Sequence, residues 1–146
     1  MAHNRNNHSV NTFLGPGTRV VGVIESSGFT RIDGIVHGDV NAQGSIVIGD
    51  QARLKGNLSG TAVTVGGVVH GDIFADERII ILASAIILGN IITRRIQADE
   101  GCLIHGKVFV CKSDDEWNKA VAEQKQYRQT DVKVNISETS LVERYG

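Results

Sequence analysis

Aromatic residues and proline are both scarce in this sequence. Aromatic side chains make up 5% of the 146 residues, and Pro16 is the only proline. A folded core would therefore consist of Val, Ile, Leu and Ala, and a proline-rich linker is excluded. Cys102 and Cys111 are too few for a disulfide scaffold. The formal net charge of −1 gives no basic footprint for DNA or RNA, so we expect no nucleic-acid partner.

A long apolar run is also missing. The most apolar stretch, residues 79–92, is interrupted by Gly89 and Asn90 and is shorter than the roughly 20 residues that a membrane-spanning helix needs. Residues 1–12 lack the apolar segment of a secretion signal, so we expect a cytoplasmic protein. The sequence also lacks a nucleotide-binding loop and a serine-nucleophile motif, so we expect neither an enzyme nor a cofactor.

Glycine, in contrast, is abundant and regularly placed. Six of the 17 glycines recur at intervals of 15 to 18 residues, and each is followed by a mostly polar residue and then an aliphatic one. These repeat glycines are Gly22, Gly38, Gly56, Gly71, Gly89 and Gly106. A period of about 17 residues is too short for a helix-pair repeat, and it fits one coil of a β-solenoid with three short strands.

The residues two before and two after each repeat glycine are all aliphatic. Because these positions have the same parity on a strand, their side chains point to one side, the interior. The pattern predicts an all-β, single-stranded parallel β-helix of about six coils over residues 15–112. Residues 1–14 are expected to form a disordered N-terminal tail. In the remaining segment, residues 113–146, Ser113 and Glu116 match a capping box that predicts a short C-terminal helix.

Three histidines invite a metal-binding interpretation. His37, His70 and His105 each stand directly before a repeat glycine. Two coils separate each from the next, about 9.6 Å, which is too far for ligands of one metal ion. We therefore expect surface histidines and no metal site. A hexapeptide-repeat acyltransferase is the enzymatic alternative among β-helices, but it would need a regular spacing of 18 residues, which these repeats do not keep.

Four segments resemble the bactofilin family: FLGPGT (13–18), VVGVI (20–24), IDGIVHGDV (32–40) and residues 63–76. The resemblance covers roughly residues 13–112. It implies a right-handed β-helix that polymerises end to end without nucleotide. It also implies a bacterial cytoskeletal role along the inner face of the cytoplasmic membrane, with cell-wall-modifying enzymes or membrane proteins as partners. The N-terminus lacks the short apolar and basic stretch that gives some members membrane affinity, so direct membrane binding is not implied.

The open ends of a solenoid suggest how such a protein would assemble. An end coil exposes core side chains and unpaired backbone groups, which either a cap or another copy must cover. We therefore predict a structural scaffold that forms homopolymeric filaments and positions cell-wall or cell-shape proteins. The alternative is a non-polymerising binding module whose C-terminal tail caps the solenoid and recruits a partner. The predicted self-association residues are Val20, Val21, Val23, Ile24, Leu103, Ile104, Val108, Phe109 and Val110.

A second candidate surface lies three residues after the last three repeat glycines. Phe74, Ile92 and Phe109 occupy this position on consecutive coils. Strand parity predicts that they face outward as an apolar stripe, available for lateral contacts or for the side of the C-terminal helix that carries Trp117 and Val121. If a corner reversed the parity, the three residues would be buried in the core instead.

Overall fold

The computed structural model describes residues 10–124 and shows a parallel β-solenoid with three faces. The first face precedes the repeat glycines. It consists of β2 (Arg19–Val21), β5 (Ile35–His37), β8 (Arg53–Lys55), β10 (Val68–His70), β12 (Ile86–Leu88) and β15 (Leu103–His105). These six strands correspond to six coils, so the predicted all-β solenoid of about six coils is confirmed.

The other two faces complete each coil. The second face follows the glycines and consists of β3 (Ile24–Ser26), β6 (Val40–Ala42), the first parts of β9 (Leu58–Val65) and β11 (Ile73–Ile81), β13 (Ile91–Thr93) and β16 (Val108–Val110). The third face consists of β1 (Val10–Leu14), β4 (Phe29–Ile32), β7 (Ile46–Ile48), the second parts of β9 and β11, and β14 (Ile96–Ala98). All described pairings are parallel and join equivalent residues of successive coils, as Val36, Leu54 and Val69 show.

The core is a continuous aliphatic column inside the three faces. Side chains alternate along each strand, so every second residue enters the interior. The fully buried residues of the first two faces include Val36, Leu54, Val69, Ile87, Val40, Leu58, Ile73 and Ile91. The third face contributes Ile32, Ile46, Ile48, Val63, Val65, Ile79 and Ile81. Short β-branched residues suit this narrow interior, which is why so few aromatic residues are needed.

A column of glycines lets the coils stack closely at the corner between the first and second faces. Gly71 has a φ of +157°, and a Cβ there would overlap the carbonyl oxygen of Gly56 in the preceding coil. The next position forms a ladder of hydrogen bonds. The backbone N–H of Asp72 donates to Asn57 Oδ1 at 3.0 Å, and that of Asn90 donates to Asp72 Oδ1 at 3.0 Å. These bonds satisfy backbone donors at the turn.

The N-terminal segment requires a correction. The expectation of disorder over residues 1–14 is wrong for Val10–Leu14, which forms β1 and pairs with β4. Leu14 packs against the core, and its carbonyl accepts a hydrogen bond of 2.7 Å from the Asp33 N–H. The apolar pair Phe13 and Leu14 is enough for one further strand on the third face. Leu14 points into the interior, whereas Phe13 stays exposed. Residues 1–9 lie outside the described part of the chain.

The predicted C-terminal helix is confirmed over residues 114–124. The Glu116 N–H donates a hydrogen bond of 3.2 Å to Ser113 Oγ, as a capping box requires. The more buried side of the helix carries Trp117, Ala120, Val121 and Gln124. This i, i+3, i+4, i+7 spacing is typical of an amphipathic helix that packs along one stripe. The rest of the predicted segment, residues 125–146, lies outside the described residues.

Candidate self-association surfaces

The C-terminal end of the solenoid leaves part of the apolar core uncovered. The inward-facing residues of the last coil are Ile104, Val108 and Val110, whose register partners in the preceding coil are fully buried. Val108 is nevertheless 39% exposed and Val110 45% exposed, because the described residues form no further coil above them. Covering this aliphatic surface would stabilise a complex through the hydrophobic effect.

Leu103 and Phe109 lie on the outer rim of the same end. Leu103 pairs with Ile86 and Phe109 with Ile92, and both pairs belong to the outward-pointing side of their strands. Leu103 is 54% exposed and Phe109 39% exposed. The five predicted C-terminal residues therefore divide into three that face the open core and two that surround it.

The N-terminal end is open in a similar way. Val20 and Ile24 face inward and are half-buried, whereas Val21 and Val23 point outward and are 75% and 65% exposed. A Cβ added at Gly22 would meet nothing within 4 Å. At the five later repeat glycines it would overlap backbone of the preceding coil. Among residues 10–124, none occupies the position beneath Gly22 that a neighbouring coil would fill.

Unpaired backbone groups accompany the apolar residues at both ends. β2 at one end, and β15 and β16 at the other, each pair with one neighbouring strand, whereas the strands between them on the first face have two. Exposed N–H and C=O groups on such an edge form a template for pairing with another chain. Each end therefore offers both backbone pairing and core contact to a second copy.

The C-terminal helix lies against the second face and is held there by Arg94. Its Nη1 contacts Asp114 Oδ1 at 2.7 Å, and its Nε donates to Asp76 Oδ1 at 3.2 Å. The guanidinium also lies over the Trp117 ring, 5.5 Å from the centroid, in a cation–π contact. Arg94 thus joins the first turn of the helix to two coils of the solenoid.

A second contact fixes the other end of the described helix. Gln124 Nε2 donates to Asp72 Oδ2 at 3.0 Å, and both side chains are buried. Between the two contacts, Ile92 has no exposed surface although its register points it outward, while Phe74 is half-buried. Together with Phe109, these residues form the outward apolar stripe on coils four to six, on the face along which the helix runs.

This placement concerns only the helical part of the alternative hypothesis, in which the C-terminal tail caps the solenoid, because residues 125–146 of that tail lie outside the described residues. In the described residues the helix runs beside the last three coils and not across the open end. Val108 and Val110 consequently remain exposed. The physical reason is that the apolar stripe lies close to the first turn of the helix, so the apolar side of the helix can pack there. The salt bridges of Arg94 form at the same place.

The pKa values of two groups reflect the helix contact. Desolvation has the largest effect on Arg94 and would lower its pKa, but the hydrogen bonds to Asp114 and Asp76 raise it above the ordinary value. Burial raises the pKa of the Cys111 thiol, and the charge of Glu116 raises it further, against the opposing charge of Arg94. Cys111 is therefore a buried, protonated thiol that should react slowly.

Replacing Arg94 by Gln should loosen the helix and expose Cys111. The change removes the contacts to Asp114, Asp76 and Trp117, and we expect maleimide labelling of Cys111 to accelerate several-fold, measured by mass spectrometry in a Cys102→Ser background. Loss of the Arg94 charge also removes an influence that lowers the pKa of Cys111, so the thiolate fraction would fall. Faster labelling of Cys111 would therefore show that the thiol has become more exposed, since the change in pKa acts in the opposite direction.

The matched control for this experiment is Arg95→Gln. Arg95 is the exposed neighbour of Arg94, and its replacement removes the same charge while leaving the contacts of Arg94 to Asp114, Asp76 and Trp117 in place. Its labelling rate should equal that of the parent. Equal rates for Arg94→Gln and Arg95→Gln would show that Arg94 does not hold the helix.

The sequence interpretation missed Arg94, Asp76 and Gln124. Arg94 stands five residues after Gly89, as Asp76 does after Gly71, so the two occupy one column on adjacent coils. That repeat alignment was the available signal for their salt bridge. Gln124 carries no such signal, because its position depends on how the helix packs.

The described residues, 10–124, contain neither a metal-binding cluster nor a membrane-spanning helix. No group of three or more His, Cys, Asp or Glu side chains in this range could hold a metal ion. The first face carries three exposed histidines, one on every second coil: His37, His70 and His105. No helix of the same range is long and apolar enough to cross a membrane.

Comparison with known proteins agrees with this architecture. The model of the bactofilin family, described as polymer-forming cytoskeletal, matches residues 12–109. A cryo-EM reconstruction of double helical filaments of Thermus thermophilus bactofilin matches with a TM-score of 0.66 and 27% identity, covering 68% of this chain and 99% of that chain. A crystal structure of a phenylalanine-to-arginine mutant of Thermus thermophilus bactofilin matches with a TM-score of 0.59 and 28% identity, covering 62% and 100%. The comparison with curated proteins gives no match.

Proposed function

The chain belongs to the bactofilin family of polymer-forming cytoskeletal proteins, and we propose that it builds filaments by stacking its solenoids end to end. The observation that carries this proposal is the pair of open ends. In the part of the chain that the structure describes, inward-facing Val108 and Val110 are exposed at one end, and no residue fills the space beneath Gly22 at the other. A second copy would cover apolar surface and pair backbone edges at once.

The size of the joint determines which interactions must hold it. Each side of a coil has about five or six residues and so a length of about 20 Å, which gives the triangular end an area of roughly 170 Å². A standard protein interface buries about 800 Å² per partner. The joint is therefore small, and it depends on dry core contact and continuous backbone pairing.

The proposed cellular role is that of a scaffold. Filaments of this kind would lie in the cytoplasm along the inner face of the membrane and position cell-wall or cell-shape proteins. Family membership supports this role, and so does the geometry, because end-to-end stacking leaves available for partners the lateral surface that the C-terminal helix does not cover. Assembly would need neither nucleotide nor metal, since the joint consists of aliphatic side chains and backbone groups.

Concentration-dependent assembly tests the proposal. The purified full-length chain should form filaments above a critical concentration, seen by negative-stain electron microscopy and by sedimentation. Apyrase and a metal chelator should leave that concentration unchanged. A chain that stayed monomeric at all concentrations would favour the non-polymerising binding module, and a loss of filaments in chelator would show that a metal takes part in the joint.

A further inference from the structure

A cleft at the corner between the second and third faces is lined mainly by basic side chains. This basic cleft has a volume of about 440 Å³ and lies beside the last three coils. Four of its six lining residues are cationic and one is acidic. The volume falls in the range of clefts that hold small ligands. The lining residues are Glu77, Arg78, Arg94, Arg95, Cys111 and Lys112.

Two of the cations stand on adjacent coils at the same position. Arg78 directly precedes Ile79 and Arg95 directly precedes Ile96, and the two isoleucines are register partners. The Ile79 N–H donates a hydrogen bond of 2.9 Å to the Arg95 carbonyl. The two coils are therefore in direct backbone contact where the arginines lie, and the arginines are stacked one above the other.

Lys112 continues this column on the last coil. Thr93 and Val110 are register partners, and Arg95 and Lys112 each stand two residues further along their strands. The Cys111 N–H donates a hydrogen bond of 2.8 Å to the Thr93 carbonyl, which keeps the register up to the corner. Because neighbouring coils lie about 4.8 Å apart, the fold places three positive charges at consecutive stacked positions.

The acidic residues near the cleft compensate little of this charge. Glu77 contacts Arg78 at 4.0 Å, and both side chains are more than half exposed, so the pair contributes little. Asp76 and Asp114 lie on Arg94, the fourth cation, at 3.2 and 2.7 Å. Of the ion pairs formed within residues 10–124, none involves the other two cations of the column.

The next column along the same corner shows how the fold ordinarily places charge. Asp76 and Arg94 have opposite signs on the same two coils and form a salt bridge. Like charges at stacked positions repel instead, so the cationic column lowers the stability of the free chain. A local conflict of this kind is expected at a functional site. A bound anion would convert the repulsion into attraction.

We propose that the basic cleft binds a small soluble oligophosphate, of the pyrophosphate or triphosphate class. Guanidinium and ammonium groups donate charge-assisted hydrogen bonds to phosphate oxygens. The column extends over two coil spacings, about 9.6 Å, so it can contact two or three linked phosphates at once. None of the six lining residues is aromatic, so a nucleoside attached to the phosphates would find no stacking partner there.

Isothermal titration calorimetry of the full-length chain with sodium tripolyphosphate, in magnesium-free buffer, tests the inference. We expect binding that weakens with added salt, and the same affinity for ATP because the base adds no contact. Arg95→Gln/Lys112→Gln should weaken binding about 25-fold, at about fivefold for each charge. Glu77→Gln should tighten binding about fivefold, because it removes the acidic residue that lines the cleft.

The matched control is Arg53→Gln/Lys55→Gln, which removes the same charge from two exposed positions of the first face. It should keep the parent affinity. Equal losses in the two double variants would show that net charge attracts the anion, and this would overturn the assignment to the cleft. The absence of binding at millimolar tripolyphosphate would overturn it too, and tighter binding of ATP would overturn the assignment to the phosphates alone.

Protection of Cys111 locates the bound anion. Because Cys111 lines the cleft, tripolyphosphate should slow its maleimide labelling several-fold in a Cys102→Ser background, and it should not do so in Arg95→Gln/Lys112→Gln. That double variant should unfold at the parent temperature or above it, since it removes like charges. Binding that leaves the labelling rate unchanged would place the anion elsewhere on the chain. Neither measurement needs filaments, so the inference goes beyond the proposed function and is tested separately from it.

Discussion

Val108→Arg is expected to leave the solenoid folded and to abolish filament formation. In the isolated chain Val108 faces the open end and is 39% exposed, so an arginine there can extend its guanidinium into water. In a stacked joint the same charge would be enclosed between two apolar coils without a partner. An unpaired buried charge costs several kcal/mol. At 1.4 kcal/mol per tenfold, we expect the critical concentration to rise by about three orders of magnitude or more.

The measurement is sedimentation over a range of concentrations, with circular dichroism to check the fold. Thr64→Arg is the matched control, because Thr64 is half-buried on the outside of the third face in the middle of the stack. It adds the same charge away from the joint and should keep the parent critical concentration. Normal filaments from Val108→Arg would mean that the C-terminal coil is not a joint.

The fold was predictable because each coil repeats the same constraint. The aliphatic residues beside the repeat glycines occupy the same interior position in each of six coils. Leu54, Val69 and Ile87 are three such residues, and each is buried. An error at one coil is corrected by the others. The first rung, β1, has no such support, since only Phe13 and Leu14 carry its signal and its pairing with β4 depends on tertiary contact.

The candidate site was predictable only in part. Parity placed Phe74, Ile92 and Phe109 on the outside, but it could not say whether anything covered them. That answer depends on the direction in which the helix leaves Cys111, which is set by the salt bridge of Arg94 and not by a local pattern. The same limit applies to the end coils, where side-chain direction could be predicted for Val108 but its exposure required the structure.

Gly71→Ala should destabilise the whole solenoid. The backbone at Gly71 has a φ of +157°, which is strained for alanine, and the added Cβ would overlap the carbonyl oxygen of Gly56. Backbone strain alone costs about 1–3 kcal/mol. The overlap must also push two paired coils apart, so we expect a loss of more than about 3 kcal/mol. For a domain of this size that corresponds to a fall in Tm of more than roughly 10 °C, measured by thermal denaturation followed by circular dichroism.

Gly22→Ala separates this strain from the contact between coils. Gly22 has a φ of +132°, so alanine is strained there too, but its Cβ meets nothing within 4 Å in the isolated chain. The Tm should therefore fall much less than in Gly71→Ala. In a filament, a coil stacked on this end would meet the new methyl group, as Gly22 itself would meet one at Gly38. We expect Gly22→Ala to fold and to lose assembly, and normal filaments from this variant would mean that the N-terminal end is not joined coil against coil.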